Sequence, residues 1–121
     1  MADTKLDPGK SYGWTGKILR VNLTDGTIST SPTDPYKAYV GGMGIANKIM
    51  YDEVPAGTDP LSPENKVVFA VGPLTATGVP LAGRTTIASL STYTKDHQVI
   101  DAHTGGMIGA AIKKAGWDAI I

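Results

Sequence analysis

The sequence contains no cysteine. Disulfides, thiolate zinc sites, cysteine nucleophiles and cysteine-ligated iron–sulfur clusters are therefore excluded from these 121 residues. Histidine is scarce as well. His97 and His103 are the only two, too few for a histidine metal cage. Neither sign of charge is in excess: 11 Lys and Arg balance 11 Asp and Glu. No basic surplus points to nucleic acid, and no like-charged block forms an interaction tail. No apolar run approaches the length of a membrane span. The start, Met1 to Pro8, lacks the apolar segment of a secretory signal. The chain is expected to be soluble and cytoplasmic, without a membrane span and without nucleic acid as a partner.

What is present is a chain long enough for one domain, with 15 glycines and 8 prolines at turn-like positions. Residues 1–12 read as a flexible polar leader. Lys17 to Leu23 reads as a strand, and Thr24-Asp25-Gly26 as a tight turn into Thr27-Ile28-Ser29-Thr30. Asp-Gly between β-prone runs implies positive φ at both turn positions. Asp34-Pro35 opens a short helix, with Asp as N-cap and Pro at the first helical position. Gly41-Gly42-Met43-Gly44 leads into apolar residues at helical spacing from Ile45 to Tyr51. Strands are expected over 67–71, 85–90 and 98–102. A helix is expected from Met107 to Lys114, ended by Gly116 at C′. Trp117 to Ile121 then reads as the start of another strand, so the chain is expected to be the beginning, or one piece, of a larger protein, with a short C-terminal edge strand as the alternative.

The stretch between the strands at 67–71 and 85–90 is the most suggestive. Gly72-Pro73-Leu74-Thr75-Ala76-Thr77-Gly78-Val79-Pro80-Leu81-Ala82-Gly83-Arg84 offers exposed backbone amides, hydroxyls and one fixed positive charge. Those groups suit an anion, and Arg84 suits a phosphate or a ring edge held bidentately, with a surface arginine covering apolar area as the alternative. Pure loop architecture is the simpler alternative. Thr104-Gly105-Gly106 and Gly41 to Gly44 precede helices, where backbone amides and the helix dipole favour anions. Glycines there also serve plain tight turns. His103 adjoins the second of these starts, while His97 reads as a solvated turn residue. Asp101 pairs with a neighbour or meets solvent, and no catalytic role is assigned to it. Trp14 and Trp117 read as packing anchors. No acid–base pair, serine triad or dinucleotide fingerprint is present.

Several blocks together carry a family resemblance. They are Trp14 to Leu23, Gly41 to Gly44, Leu61-Ser62-Pro63-Glu64-Asn65-Lys66, Gly72-Pro73-Leu74-Thr75, Gly83-Arg84, and Thr104-Gly105-Gly106 with Ala115 to Ile121. In this order they resemble the N-terminal domain of the aldehyde ferredoxin oxidoreductases, tungsten enzymes with a bis-pterin cofactor. The resemblance implies an α+β fold in which residues 13–121 form part of the pterin-binding domain. It implies a tungsten or molybdenum bis-pterin with a bridging magnesium, and a [4Fe–4S] cluster ligated outside this segment. It further implies oxidation of an aldehyde to a carboxylic acid or the reverse. Electrons would pass to ferredoxin or an electron-transfer subunit, and an oligomer is expected.

By the same resemblance, Gly83, Arg84 and Thr85 match a pterin-contacting loop, and His103, Thr104, Gly105 and Gly106 match a phosphate turn. No residue here is expected to be catalytic or to ligate metal directly. The archaeal pattern often has asparagine, a magnesium ligand, where His103 stands. Histidine suits that oxygen-seeking cation less well. His103 would then bind phosphate or a magnesium-bound water, or the bridge is arranged differently. The alternative function is a non-catalytic phosphate-ligand-binding or assembly module, a truncated copy of the larger enzyme.

Overall fold

The computed structural model describes residues 12–121. The expected leader lies outside the described residues apart from Tyr12. The α+β class holds: six strands form one mixed sheet in the order β2-β1-β6-β3-β4-β5. In chain order these are β1 (Lys17–Val21), β2 (Ile28–Pro32), β3 (Val68–Val71), β4 (Thr85–Leu90), β5 (Val99–Thr104) and β6 (Ala119–Ile120). A 3-10 helix covers Asp34–Tyr39, and two α-helices, α1 (Met43–Glu53) and α2 (Ile108–Lys114), complete the fold.

α1 buries Ile45, Ala46, Ile49 and Met50, which recur on one helical face. They pack on Ile18, Val68, Ala70, Ala88 and Ala119, one alternating face of the sheet. The glycines at the start of α1 serve this packing. A side-chain carbon on Gly44 would clash with the Tyr39 carbonyl oxygen, and one on Gly41 would lie 2.9 Å from the Gly72 Cα.

β6 occupies the middle of the sheet. It pairs parallel with β1 (Ile18↔Ala119) and antiparallel with β3 (Ala70↔Ala119). Backbone bonds from Val21 N to Ile121 O (2.8 Å) and from Val71 N to Asp118 O (3.0 Å) extend both junctions. The last residues thus join a β2-β1 hairpin to the β3-β4-β5 meander. Just before β6, the buried Asp118 carboxylate accepts from Thr15 N (3.0 Å), Gly16 N (2.8 Å), Thr33 Oγ1 (2.7 Å) and Lys113 Nζ (2.6 Å). The Lys113 ammonium lies 5.3 Å from the Trp14 ring centre, so that tryptophan anchors the same junction.

Three local expectations are corrected. The β1–β2 connection is not a two-residue turn: Val21 pairs with Ile28, and Gly26 has φ +74° while Asp25 is not in the left-handed region. Asn22 Oδ1 accepts from Thr24 N, and Asp25 Oδ1 from Thr27 N, which stabilises a longer loop. The N-cap of the 3-10 helix is Thr33, one residue before Asp34, and its hydroxyl is committed to Asp118. β5 continues through His103 and Thr104, because both pair across to β4. The C-terminus of α2 follows expectation. Gly116 N donates to Lys113 O and Trp117 N to Ile112 O, the paired bonds of a Schellman stop.

Candidate functional site

The β4–β5 register determines which sequence-selected residues meet. Thr85 pairs with Thr104, and Thr86 with His103. Continuing past the strand ends, Gly83 faces Gly106: a side-chain carbon on Gly83 would sit 3.5 Å from the Gly106 carbonyl oxygen. The two candidate segments, Gly83–Thr85 and His103–Gly106, therefore converge at one end of the sheet although some 20 residues separate them in sequence. Arg84 is exposed and makes no hydrogen bond or ion pair among the described residues. Around Gly105 and Gly106 there is open space where side chains would stand, and Gly106 has φ +77°.

Alternation along the strands divides these residues between two faces. Thr86 turns toward α1, where its Oγ1 lies 3.3 Å from the Cβ position of Gly42. Thr85 turns the other way, toward α2, where its Oγ1 lies 2.7 Å from the Cβ position of Gly109. Thr85 is fully buried, and its hydroxyl has no hydrogen-bond partner. It lies sealed beneath α2. His103 shares the α1 face with Thr86, whereas Gly83, Arg84, Gly105 and Gly106 occupy the open ends of the strands.

His103 is held on both sides. Its Nε2 is 2.7 Å from Asp101 Oδ2, and its Nδ1 is 3.1 Å from Thr86 Oγ1. A carboxylate only accepts, so Nε2 carries a proton; in the neutral ring Nδ1 then accepts from the Thr86 hydroxyl. Sequence reasoning left Asp101 with a neighbour or solvent, and the neighbour is His103. The alternation of Asp101 and His103 along one strand was the available signal.

The long loop spends its threonines internally. Thr75 Oγ1 donates to Ala82 O (2.9 Å) and Thr77 Oγ1 to Leu74 O (2.7 Å). Its tip is exposed from Ala76 to Leu81. The Gly41–Gly44 start is likewise committed to packing, with Gly42 N donating to Val71 O (3.2 Å). His97 lies in an exposed turn, where its backbone N donates to Thr94 O (3.2 Å). Among the described residues no three His, Cys, Asp or Glu side chains gather as a metal site. An open groove of about 730 Å³ lies elsewhere, lined by Arg20, Asn22, Lys66, Phe69 and Ile120. No described helix is long and apolar enough to cross a membrane. The buried Lys113–Asp118 pair was missed in the sequence, where its one signal is an acid within the apolar run Trp117 to Ile121.

A mixed sheet with two α-helices, carrying glycine turns and, at the same end, an arginine without a partner among the described residues, defines an α+β module. The chain belongs to the aldehyde ferredoxin oxidoreductase family: the family's N-terminal domain matches residues 18–121. It is 46% identical over 112 residues to the tungsten-containing aldehyde ferredoxin oxidoreductase of Pyrococcus abyssi, covering 91% of this chain and 18% of that protein. With an aliphatic sulfonate oxidoreductase, WOR-like subunit, of Pyrococcus furiosus it shares 31% identity over 115 residues, with the same coverage. Its fold is similar to a chain of the active-site complex BamBC of benzoyl coenzyme A reductase in complex with 1,5-dienoyl-CoA. That match has a TM-score of 0.83 and 37% identity, covering 90% of this chain and 17% of that one. The chain thus spans less than one-fifth of the length of these relatives.

Proposed function

We propose that this chain is the cofactor-binding N-terminal part of a tungsten- or molybdenum-pterin oxidoreductase that interconverts an aldehyde and a carboxylic acid. Electrons would pass through a [4Fe–4S] cluster held elsewhere in the protein to ferredoxin or a partner subunit. The observation that carries this reading is the β4–β5 register, Thr85↔Thr104 and Thr86↔His103, which brings Gly83 within reach of Gly106 and so sets the Gly83–Arg84 segment against Gly105 and Gly106, with Thr85 buried beneath them. The residues fit the group: Arg84 is exposed with no hydrogen bond or ion pair among the described residues, and a side chain at Gly105 or Gly106 would meet open space. The aldehyde assignment follows the tungsten-containing aldehyde ferredoxin oxidoreductases, which reach 46% identity against 31% for the sulfonate enzyme.

When bound, the metal–pterin group supplies two-electron redox chemistry; the protein supplies binding and orientation. Arg84 would grip a cofactor phosphate bidentately. Gly105 and Gly106 would let it approach the backbone. Thr104, whose hydroxyl has only a 3.5 Å contact with Gly105 O, is available for a further hydrogen bond. Acid–base groups and the substrate pocket are assigned to the remainder of the protein.

The test is metal and pterin analysis of the full-length protein after expression with tungstate and molybdate, beside an Arg84→Ala variant. Bound tungsten or molybdenum with pterin is expected, and less of both in the variant. A wild-type protein devoid of both would leave the non-catalytic module as the better reading. The benzoyl coenzyme A reductase match favours a second substrate class, an aromatic coenzyme A thioester. Turnover of that substrate but not of aldehydes would select it.

A further inference from the structure

We propose that Asp101 and Thr86 are positioning residues for His103, fixing its ring orientation and its Nε2–H tautomer at the start of the phosphate turn. The proposal rests on the cofactor reading above and adds two residues to it. Three observations meet at this point. The Asp101 carboxylate lies 2.7 Å from Nε2, on the same strand and the same face as His103. The Thr86 hydroxyl lies 3.1 Å from Nδ1, directly across the β4–β5 ladder. Thr86 is itself only 4% exposed, so its hydroxyl has little alternative but the ring.

The glycine before α1 completes the arrangement. A side-chain carbon at Gly42 would approach Thr86 Oγ1 to 3.3 Å, closer than most real contacts, so the hydroxyl that meets His103 would have to shift. A glycine at 42 therefore leaves Thr86 free to face the imidazole. Carboxylate, imidazole and hydroxyl form one chain of hydrogen bonds from β5 to β4. With both ring nitrogens engaged, His103 has no spare lone pair for a metal ion. A direct bond from a ring nitrogen to phosphate would require one existing bond to break. His103 acts instead as a fixed post. It holds the end of β5 so that Thr104, Gly105 and Gly106 leave the sheet in one direction toward Arg84.

The decisive measurement is the tautomer. Full-length protein labelled with [15N]histidine is studied at alkaline pH, with the His103 signals identified by their loss in His103→Asn. Wild type should show a protonated Nε2 and a bare, hydrogen-bonded Nδ1. Asp101→Ala should move the ring toward a mixture of tautomers. Thr86→Val should remove the Nδ1 hydrogen-bond shift, and Thr86→Ser should restore it. A purely structural role for either residue would leave these signals in place. A wild-type ring protonated on Nδ1, or an Asp101→Ala ring unchanged from wild type, would overturn the proposal.

Pterin and tungsten retention, measured on the same variants, separates the two claims. If the fixed ring holds the turn that carries Thr104, Gly105 and Gly106, removing either partner should lower cofactor retention several-fold, less than the loss on Arg84→Ala. That loss is expected for Asp101→Ala and for Thr86→Val. If the tautomer moves while cofactor content stays at the wild-type level, the positioning claim stands and His103 leaves the cofactor site. Asp101 sits on an edge strand with its side chain 28% exposed, so its removal leaves the core intact.

Discussion

The Lys113 ammonium lies 2.6 Å from the Asp118 carboxylate, with the two side chains 7% and 0% exposed. This pair joins the last turn of α2 to the central strand β6. Through Thr15, Gly16 and Thr33 the same carboxylate also holds the segments on either side of the β1–β2 hairpin.

Removing one partner leaves a buried charge without compensation, which costs about 3–5 kcal/mol. Lys113→Met and Asp118→Asn are each expected to lower stability by that order. The double variant should recover most of the loss, because a buried ion pair replaced as a unit is often neutral. Urea unfolding of the chain followed by tryptophan fluorescence measures this, since Trp14 stands over Lys113. A double variant no more stable than its parents would show that the hydrogen bonds dominate over the ion pair.

Acid sensitivity follows from two carboxylates. Burial pushes the Asp118 carboxyl up, but hydrogen bonds from Lys113, Thr15 and Thr33 outweigh it and hold it below the usual range. The bidentate Arg20 guanidinium, at 2.8 and 2.6 Å, holds Glu53 low against its partial burial. A lowered folded pKa stabilises fully above the unfolded value of about 4 and is lost as pH falls through the folded value. The urea midpoint should be level above about pH 5 and fall steadily below about pH 4. In Glu53→Gln the fall should be shallower.

Close packing at the start of α1 makes a sharp distinction among glycines. A side chain at Gly44 meets the Tyr39 backbone, which cannot swing aside, whereas one at Gly105 meets open space. Gly44→Ala is expected to cost about 1–3 kcal/mol, as overpacking generally does. Gly105→Ala should change urea stability by less than about 0.5 kcal/mol, like other exposed substitutions. Equal effects at the two positions would contradict the packing described here.

Features whose cause is local were legible in the sequence. Gly116 ends α2 because a left-handed residue there satisfies the last carbonyls, and no distant contact is needed. Glycines and Arg84 also singled out the two candidate segments, whose residues carry no sign that they face one another across β4 and β5. What was not legible depends on pairing across the fold. Two residues, Ala119 and Ile120, cannot announce that they bridge β1 and β3. His103 reads as a turn residue until Thr86 is placed opposite it. The β1–β2 turn was misjudged in type because the Asn22 and Asp25 side chains satisfy backbone amides that a tighter turn would have used.

Gly109 links the fold to the candidate site. It allows α2 to rest on the Gly83–Thr85 segment, since a Cβ there would come within 2.7 Å of Thr85 Oγ1 and 2.9 Å of Gly83 O. Alanine is a better helix former than glycine by about 1 kcal/mol. Intrinsic propensity therefore favours Gly109→Ala, while contact with a backbone carbonyl opposes it. The contact should win, because the Gly83 carbonyl is fixed by the strand that follows it. The full-length variant is expected to retain its helix content by circular dichroism but to hold less pterin and tungsten, as α2 lifts from the segment carrying Arg84. Unchanged cofactor content together with raised stability would mean that α2 shifts without disturbing Gly83, and that the two candidate segments are not coupled through this helix.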